Sequence, residues 1–362
     1  MYIDNHKISY KLEKFKVMIN VAIIGFGLSG RYLQAPFFEN NINFNLKVFL
    51  SKSQNPAEYY PQVKVVKNIE EVLKDEEINL ISICSPNDTH YNYAKLALLA
   101  GKHVMVEKPF TATSKQAEEL ILLANERKKI LTVFQNRRFD SDFLTVQKLI
   151  ESGKMGEIFN FEIHYNRFKP ELNTKKWKEN NSAGSGIIYD LGAHIIDQAI
   201  ALFGTPQKIK GQIFTQRENS LIDDAFDIRM DYGKLKVTLR SSLLVRQPSP
   251  RYIINGTEAS FIKYGIDVQE DDLKAGKYPD DINFGVEPIT QEGILYCEEY
   301  DLPAQNKVPT LPGRWALLFQ NLYEAITNNA SLTITPECVL EQIKIIETVK
   351  QQSQEIIGLQ QL

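Results

Sequence analysis

Two stretches of the sequence carry side chains that could hold a substrate oxygen and move its proton. The first is Val106-Glu107-Lys108-Pro109-Phe110, in which a lysine follows an apolar segment. A residue that precedes proline is held in an extended conformation, so the Lys108 side chain has a restricted direction. The second stretch contains Asp190 and His194, which are four residues apart in an apolar segment with helical periodicity. At that spacing the two side chains lie on one helix face.

These residue types suit the transfer of a hydride from an alcohol. An ammonium group beside the substrate oxygen would stabilise the alkoxide-like charge that develops as the hydride leaves. The hydroxyl proton needs a base, and a histidine titrates in the useful range. We therefore predict Lys108, Asp190 and His194 as catalytic residues, with Asp190 orienting the His194 imidazole. A solvated loop lysine and a buried Asp–His pair without chemistry are the alternatives, and no bound metal is predicted.

A glycine turn near the start of the chain predicts the partner in that hydride transfer. Gly25, Gly27 and Gly30 complete the pattern G-x-G-x-x-G after the apolar residues Val21 to Ile24 and before a helical segment, Arg31 to Phe38. In a dinucleotide site the three glycines permit a tight turn, close approach of a pyrophosphate, and helix–strand packing. The predicted cofactor contacts in this turn are Gly25, Phe26, Gly27, Leu28, Ser29 and Gly30.

The end of the second predicted strand favours the phosphorylated dinucleotide. An NAD site usually places Asp or Glu about 20 residues beyond the glycines, on the ribose hydroxyls. This chain has Ser51 and Lys52 there instead. A serine hydroxyl and a lysine charge suit a 2′-phosphate, so NADP(H) is favoured over NAD(H). The alternative is that both are solvated turn residues.

Polar residues that follow the third and fourth strands predict the nicotinamide end of the site. Ligands of an open α/β sheet sit beyond the carboxyl ends of its strands. We expect cofactor contacts from a group of residues at these ends, namely Ser85, Pro86, Asn87, His90, Glu107 and Lys108. Asn87 or Asp88 as a plain helix cap, and His90 as a surface helix residue, are the alternatives.

Two further residues are candidates for binding substrate together with Asp190 and His194. Asn136 lies in the segment that leaves the fifth strand, and Arg167 lies in Tyr165-Asn166-Arg167-Phe168. Arginines in such segments are more often structural ion-pair residues.

The first half of the chain alternates strands with helices, which predicts a doubly wound parallel sheet of the Rossmann type. After the glycine-turn strand, the predicted elements are strands at Asn45–Leu50, Leu80–Ser85, His103–Glu107 and Leu131–Gln135, with helices at Asn68–Lys74, Asp88–Leu99 and Ser114–Lys128. The predicted cofactor domain spans residues 17–138, after an N-terminal extension of residues 1–16 that we expect to be flexible.

The second half, residues 139–362, shows the period-two pattern of a mostly antiparallel sheet in an α+β domain. Phe159, Phe161, Ile163 and Tyr165 share one face of a predicted strand. Asn255-Gly256 predicts a hairpin turn, and Asp267–Cys297 is interpreted as loops. Helices are predicted at Asp140–Glu151, around Asp190 up to Phe203, at Trp315–Ile326 and at Pro336–Lys350, and the last two could pack back on the first domain. The open sheet face is the expected surface of a homodimer or homotetramer.

Composition excludes several other classes. The chain has 362 residues and a net charge of −3, which indicates neither a nucleic-acid partner nor a membrane surface. Its first residues lack the apolar core of a signal peptide, so a cytoplasmic location is expected. Three scattered cysteines give neither a disulfide framework nor a zinc site.

Taken in order, these motifs resemble the glucose–fructose oxidoreductase / inositol dehydrogenase / rhizopine-catabolism family (Gfo/Idh/MocA). The resemblance runs from Met18 to the end and rests on five segments: GFGLSG at 25–30, SPNDTH at 85–90, AGKHVMVEKPF at 100–110, QNRRFDSDF at 135–143 and GSGIIYDLGAHIIDQAIALFG at 184–204. It implies a Rossmann domain and a dimerising open-sheet domain, with the family's catalytic lysine, aspartate and histidine at Lys108, Asp190 and His194. The sequences of these segments are most similar to those of the NADP-dependent inositol dehydrogenase branch of the family. This similarity implies a polyol or sugar substrate.

Two other functions stay open on the sequence. One is a non-catalytic NADP(H)-sensing regulatory protein on the same fold. The other is an enzyme that acts on an aldose, a dihydrodiol or an imine.

Overall fold

The structure is a computed structural model that describes residues 17–173, 179, 182–299 and 302–360. The predicted extension at Met1–Lys16 lies outside the described residues.

The first half folds into a six-stranded, all-parallel sheet with the strand order β3-β2-β1-β4-β5-β6. Its strands are Ile19–Ile24 (β1), Phe44–Leu50 (β2), Lys64–Val66 (β3), Leu80–Ile83 (β4), His103–Glu107 (β5) and Leu131–Phe134 (β6). Its helices are Ala35–Glu39 (α1), Ile69–Leu73 (α2), His90–Leu99 (α3) and Ser114–Arg127 (α4), and a π-helical turn, Ser29–Gln34, leads into α1. This is the predicted Rossmann architecture, with β3 as a strand that the sequence did not reveal.

The central strands are apolar on both faces because helices cover both sides of the sheet. Every residue of β4 and β6 is buried, and in β1 only Asn20 is partly exposed. The helix α4 begins where the Thr113 hydroxyl accepts a hydrogen bond from the Gln116 amide (3.3 Å), and it ends at Lys128 in a left-handed conformation. The cap at Thr113 fixes the loop that follows β5 at the carboxyl edge of the sheet, and Lys128 ends the helix at the opposite edge, before β6.

The second half forms an eight-stranded sheet with the order β14-β13-β12-β11-β7-β10-β9-β8. Its strands are Ile158–His164 (β7), Lys208–Phe214 (β8), Ala225–Tyr232 (β9), Leu235–Ser242 (β10), Tyr252–Gly256 (β11), Ala259–Lys263 (β12), Gly293–Glu299 (β13) and Leu302–Val308 (β14). All neighbouring strands are antiparallel except β7 and β10, which run parallel. A mostly antiparallel second sheet was predicted, and the structure confirms it.

The helices of this half and of the C-terminus are Ser141–Glu151 (α5), Ala193–Phe203 (α6), Gln269–Lys274 (α7), Ala316–Asn328 (α8) and Pro336–Gln360 (α9). A π-helical turn, Ile188–Gly192, precedes α6. Thr335 caps α9, since its hydroxyl accepts a hydrogen bond from the Cys338 amide (3.3 Å). The described residues include no helix that is both long and apolar enough to cross a membrane.

The C-terminal helices join the two hydrophobic cores. Phe319 of α8 stacks on Phe37 in the first core, with ring centroids 4.7 Å apart. The helix α9 contributes Val339 and Ile343 to the first core and Ile346 to the second. A helix shared by both cores fixes the first sheet against the second, and the cleft lies between them.

The predicted hairpin is confirmed as β11 and β12, but Asn255 and Gly256 belong to β11 and the turn lies after them; a Cβ on Gly256 would lie 2.0 Å from the Met155 carbonyl oxygen, so this glycine serves close packing. The prediction of loops at Asp267–Cys297 was wrong, since this segment contains α7 and most of β13. Phe159, near the start of β7, is 49% exposed, whereas Phe161 is buried. The predicted end of the last helix was wrong, since α9 continues past Lys350 to Gln360.

Candidate active site

The glycine turn leaves an open cradle at one position and closely packed backbone at two others. Gly25 has φ of +100°, and a Cβ on it would lie 2.7 Å from the Cys84 carbonyl oxygen. A Cβ on Gly30 would lie 2.1 Å from the Gly25 carbonyl oxygen. A Cβ on Gly27, in contrast, would meet no described atom within 4 Å. The turn therefore needs Gly25 and Gly30 for its own packing, and the free space at Gly27 fits a bound pyrophosphate.

The other residues of the turn differ in what they can offer a cofactor. The Phe26 side chain is buried against Phe49 and Tyr60, so only its backbone faces the turn. Leu28 is 50% exposed at the surface, and Ser29 is half-buried. The Ser29 hydroxyl accepts a hydrogen bond from Gln34 (3.1 Å). The predicted cofactor contacts at Phe26, Leu28 and Ser29 thus rest mainly on main-chain groups.

The end of β2 carries positive charge and no carboxylate. Lys52 is exposed, whereas Ser51 is buried and its hydroxyl donates to the Gln54 carbonyl oxygen (2.8 Å). Lys67, which follows β3, donates from Nζ to the Ser51 carbonyl oxygen (2.8 Å). Lys67 was not predicted from the sequence, because β3, the strand that carries it to this edge, has only three residues.

Arg31, directly after the glycine turn, is a second cation that the sequence analysis left out. Its guanidinium carbon lies 3.4 Å from the centroid of the Tyr59 ring and 4.5 Å from that of Tyr32. Arg31 could have been predicted as part of the cofactor site from its position immediately after Gly30.

The segment after β4 is tied to both sides of the cleft. The Asn87 amide donates to the Gly184 carbonyl oxygen (3.0 Å), which connects the first sheet to the polypeptide that precedes Asp190. The Ser85 and Thr89 hydroxyls are 2.5 Å apart, and Pro86 lies on the wall of the cleft. His90 is fully buried, with Nδ1 2.8 Å from the Pro109 carbonyl oxygen and Nε2 2.9 Å from that of Ser85. The imidazole thus lies beneath the rim of the cleft.

Lys108 forms an ion pair with Asp190 across the cleft. Lys108 Nζ lies 2.6 Å from Asp190 Oδ1 and 2.9 Å from the Asp190 main-chain oxygen. The lysine side chain is 17% exposed and the aspartate side chain is 63% exposed. The nearby ammonium of Lys108 holds the pKa of Asp190 well below its usual range. The Asp190 carboxylate is therefore charged, and a substrate hydroxyl entering the cleft meets both members of the ion pair.

The backbone around Lys108 is closely held. The Lys108–Pro109 peptide bond is cis. The Glu107 carboxylate accepts a hydrogen bond from the Lys108 amide. Burial raises the pKa of Glu107, while the charge of Lys108 acts in the opposite direction. Glu107 thus holds the backbone at Lys108 through this hydrogen bond, and its contact with the cofactor stays a prediction.

His194 lies behind the wall of the cleft. Its side chain is 5% exposed, and within the described part of the chain its Nδ1 is buried without a hydrogen-bond partner. Burial lowers the pKa of His194 well below its usual range, and the charges of Lys108 and Arg137 lower it further. The imidazole is therefore neutral. The expected orientation of His194 by Asp190 is not seen, because the Asp190 carboxylate bonds to Lys108.

The helix that carries His194 is anchored by a buried ion pair. Arg138 Nε lies 2.7 Å from Asp197 Oδ2, and Arg138 Nη2 lies 2.7 Å from Asp197 Oδ1. Arg138 also donates to the Thr333 carbonyl oxygen (3.0 Å), so it links α6 to the segment that precedes α9. Asp197 thus positions the helix and does not face the cleft.

The cleft itself has a volume of about 1050 Å³. Its walls come from both halves of the chain and include Asn87, Lys108, Pro109, Arg167, Gly184 and Asp190. Arg167 is half-buried, with its guanidinium carbon 5.2 Å from the Tyr165 ring centroid. Asn136 is 4% exposed and, like His194, does not line this cleft in the described structure. Of the predicted substrate residues, the structure places Arg167 and Asp190 on the wall.

An open cradle beside a parallel sheet, and a lysine at the carboxyl end of β5, define the class of protein as a nicotinamide-dependent oxidoreductase. The chain belongs to the Gfo/Idh/MocA oxidoreductase family. The family's NAD-binding Rossmann fold matches residues 19–135, and its C-terminal alpha/beta domain matches residues 147–356.

Individual relatives agree with this assignment. The scyllo-inositol 2-dehydrogenase (NADP(+)) IolW of Bacillus subtilis is 37% identical over 338 residues, which cover 93% of this chain and 94% of the relative. The D-glucoside 3-dehydrogenase of Escherichia coli is 30% identical over 195 residues, covering 52% of this chain and 55% of the relative. The structure of the YvaA oxidoreductase of Bacillus subtilis superposes with a TM-score of 0.91 at 36% identity, covering 94% of this chain and 97% of that one.

Proposed function

We propose that this protein is an NADP(H)-dependent dehydrogenase that transfers hydride between the nicotinamide and a polyol or sugar hydroxyl, with an inositol-type substrate favoured. The observation that carries the proposal is the Lys108–Asp190 pair on the wall of the cleft. It supports the proposal because the Lys108 ammonium group could donate a hydrogen bond to a carbinol oxygen bound in the cleft, beside the loops that would hold a nicotinamide. The bound nicotinamide would supply the hydride acceptor or donor.

Three residues of the chain would bind the substrate oxygen and move its proton. Lys108 would hold the substrate oxygen and stabilise its negative charge as the carbon–hydrogen bond breaks. His194 lies behind the wall of the cleft, and its Nδ1 has no hydrogen-bond partner among the described residues, so it would accept the hydroxyl proton through a bridging water and return it by the same route. Asp190 would hold the Lys108 side chain in the cleft through their ion pair before substrate arrives. Substrate binding would then compete with Asp190 for the Lys108 ammonium.

The preference for NADP(H) rests on the charge at the end of β2. Lys52 and Lys67 lie there, and the carboxylate that would bind the ribose hydroxyls of NAD is missing from the sequence at this position. The named cofactor of the IolW relative supports the same choice.

Binding of NADPH and NADH, measured by fluorescence, followed by turnover with inositols, inososes and aldoses, tests the proposal. We expect tighter NADPH binding and turnover with at least one inositol or inosose. Tighter NADH binding would contradict the cofactor assignment. NADPH binding without turnover on the whole panel would favour the alternative of a non-catalytic sensor.

A different sugar hydroxyl is the second candidate, because a D-glucoside 3-dehydrogenase is among the relatives. Turnover restricted to glucosides or other aldoses would support it. We also propose that two or four copies associate through the open face of the eight-stranded sheet, which light scattering tests. A cytoplasmic location is likewise only proposed.

A further inference from the structure

The buried ring of His90 bridges two carbonyl oxygens. Its Nδ1 lies 2.8 Å from the Pro109 carbonyl oxygen, and its Nε2 lies 2.9 Å from the Ser85 carbonyl oxygen. A carbonyl oxygen only accepts hydrogen bonds, whereas a neutral imidazole carries a single N–H. A neutral His90 can therefore donate to one of the two carbonyls, and its other nitrogen then faces a lone pair. This is an unusual partner set for a residue that is fully buried.

The two carbonyls belong to the loops that form the rim of the cleft. Ser85 follows β4, and Pro109 follows Lys108 at the end of β5. These two strands are neighbours in the sheet, where Ile83 pairs with Val106. The ring of His90 thus spans the gap between the strand ends and contacts the peptide that follows Pro109, one residue beyond Lys108.

The same short segment also reaches the other half of the ion pair. Three residues before His90, Asn87 donates to the Gly184 carbonyl oxygen (3.0 Å), and Gly184 precedes the turn that carries Asp190. Residues 85–90 are therefore bonded to the polypeptide on both sides of the Lys108–Asp190 pair. A displacement of this segment would change the distance between the two charged groups.

We infer that His90 is a positioning residue for hydride transfer, and that its Nδ1–H bond to the Pro109 carbonyl directs the Lys108 ammonium into the cleft. The inference rests on the proposed function, since it assigns a role to the geometry of Lys108. Without that bond, the Pro109–Phe110 peptide loses its anchor to His90, and the adjoining Lys108 backbone can shift so that Nζ no longer points to where the substrate oxygen would bind. Misplacement of a catalytic group by about 1 Å can reduce turnover about 100-fold.

Two conservative variants separate the two bonds of His90. The amide nitrogen of asparagine occupies roughly the place of Nδ1, and that of glutamine roughly the place of Nε2. H90N therefore keeps a donor for Pro109, and H90Q keeps a donor for Ser85. We expect H90Q to lower kcat by about tenfold or more with a small change in KM for the substrate, and H90N to stay within about threefold of the wild type.

A matched control comes from another histidine of the same sheet. His103 lies at the opposite end of β5 and accepts a hydrogen bond from the Ile130 amide at Nδ1 (3.0 Å). H103Q should lower the melting temperature without changing kcat. Equal losses of kcat in H90N and H90Q, or a loss that follows the melting temperature across all three variants, would overturn the inference.

A readout that needs no turnover keeps the inference apart from the proposed function. Chemical acylation of lysines, quantified by mass spectrometry, reports how well Asp190 shields Lys108, with exposed Lys52 as the internal reference. We expect Lys108 in H90Q to react several-fold faster than in the wild type, and H103Q to match the wild type. Unchanged Lys108 reactivity in H90Q overturns the positioning role, even if no substrate is found.

The wild-type protein supplies a last check if the His90 variants do not fold. The chain has five histidines, so their ring ¹⁵N resonances can be resolved and assigned. The inference requires a proton on His90 Nδ1. A ring protonated at Nε2 alone would overturn it.

Discussion

Lys108 and Asp190 lie 82 positions apart in the sequence, yet Lys108 Nζ is 2.6 Å from Asp190 Oδ1. The pair joins the carboxyl end of β5 to the turn before α6, so it closes the cleft between the two sheets at one point. The Lys108 ammonium lowers the pKa of Asp190 and so keeps that carboxylate charged. Substrate that displaces Asp190 would take over its hydrogen bond from the Lys108 ammonium group.

Replacing Lys108 with alanine should abolish most of the turnover and leave cofactor binding intact. Removal of a preorganised donor of this kind costs about 10²- to 10³-fold in kcat. The measurement is steady-state turnover on the substrate identified in the panel, together with NADPH fluorescence. Lys95→Ala is the matched control, since Lys95 is an exposed lysine on α3 that pairs with Glu119. Full turnover in Lys108→Ala would rule out its assigned role.

The sequence predicted the parts of this site but not the way they meet. The glycine turn, Lys108 and the helix with His194 all have local signals: glycine spacing, a lysine before proline, and helical periodicity. The Lys108–Asp190 bond depends on how two sheets pack, which no local pattern contains. His194 was therefore assigned to Asp190, its neighbour on the helix, while the folded chain gives Asp190 a distant partner.

Short or weakly patterned strands account for the other differences. The strand β3 has three residues, and β14 begins Leu302-Pro303-Ala304 with little apolar alternation. Such strands form because a neighbouring strand offers hydrogen-bond partners, so their own sequence says little. Missing β3 also hid Lys67, which belongs to the predicted cofactor edge.

The cofactor preference should depend on Lys52. Lys52→Ala should weaken NADPH binding by about tenfold, since one charge-assisted contact is worth roughly 1.5 kcal/mol, and should leave NADH binding unchanged. Ser51→Asp should shift the preference toward NADH, because a carboxylate there would repel the 2′-phosphate and bind the ribose hydroxyls. Titration of each variant with both cofactors is the measurement. Equal weakening of NADPH and NADH in Lys52→Ala would place Lys52 away from the 2′-phosphate.

His194 should make the protein less stable in acid. Burial lowers the pKa of His194 in the folded state, so below about pH 6.5 the unfolded chain binds the proton more readily. The contribution of His194 to stability is therefore full above about pH 6.5 and falls by up to roughly 1.4 kcal/mol per pH unit below it. Urea unfolding of the wild type and of His194→Asn, from about pH 5 to about pH 8, measures the difference between their free energies of unfolding. A difference that does not change with pH would mean that His194 titrates normally.

The buried pair of Arg138 and Asp197 should contribute much more to stability than a surface pair of similar length. Asp197→Asn leaves the Arg138 guanidinium buried without its counter-charge, which typically costs about 3–5 kcal/mol. Lys234→Ala is the comparison: Lys234 pairs with Glu157 at 2.9 Å, but the side chains are 81% and 56% exposed. Its loss should cost less than about 1 kcal/mol. Denaturant unfolding of both variants measures the two losses in the free energy of unfolding. Equal losses would contradict the larger contribution of the buried pair.

The glycine turn offers the sharpest separation of binding from folding. A methyl group on Gly27 meets no described atom within 4 Å, and Gly27 is exposed. Gly27→Ala should therefore keep the melting temperature of the wild type. It should still weaken both NADPH and NADH, because the methyl group occupies the space into which the pyrophosphate fits.

Gly30→Ala is its matched opposite, since the added Cβ would lie 2.1 Å from the Gly25 carbonyl oxygen. That contact forces the turn apart, so Gly30→Ala should lower the melting temperature before any ligand is added. Thermal unfolding with and without NADPH distinguishes the two variants. Gly27→Ala should lose the cofactor-dependent rise in melting temperature while its unliganded value stays unchanged. A normal NADPH-dependent rise in Gly27→Ala would show that the pyrophosphate binds elsewhere on the sheet.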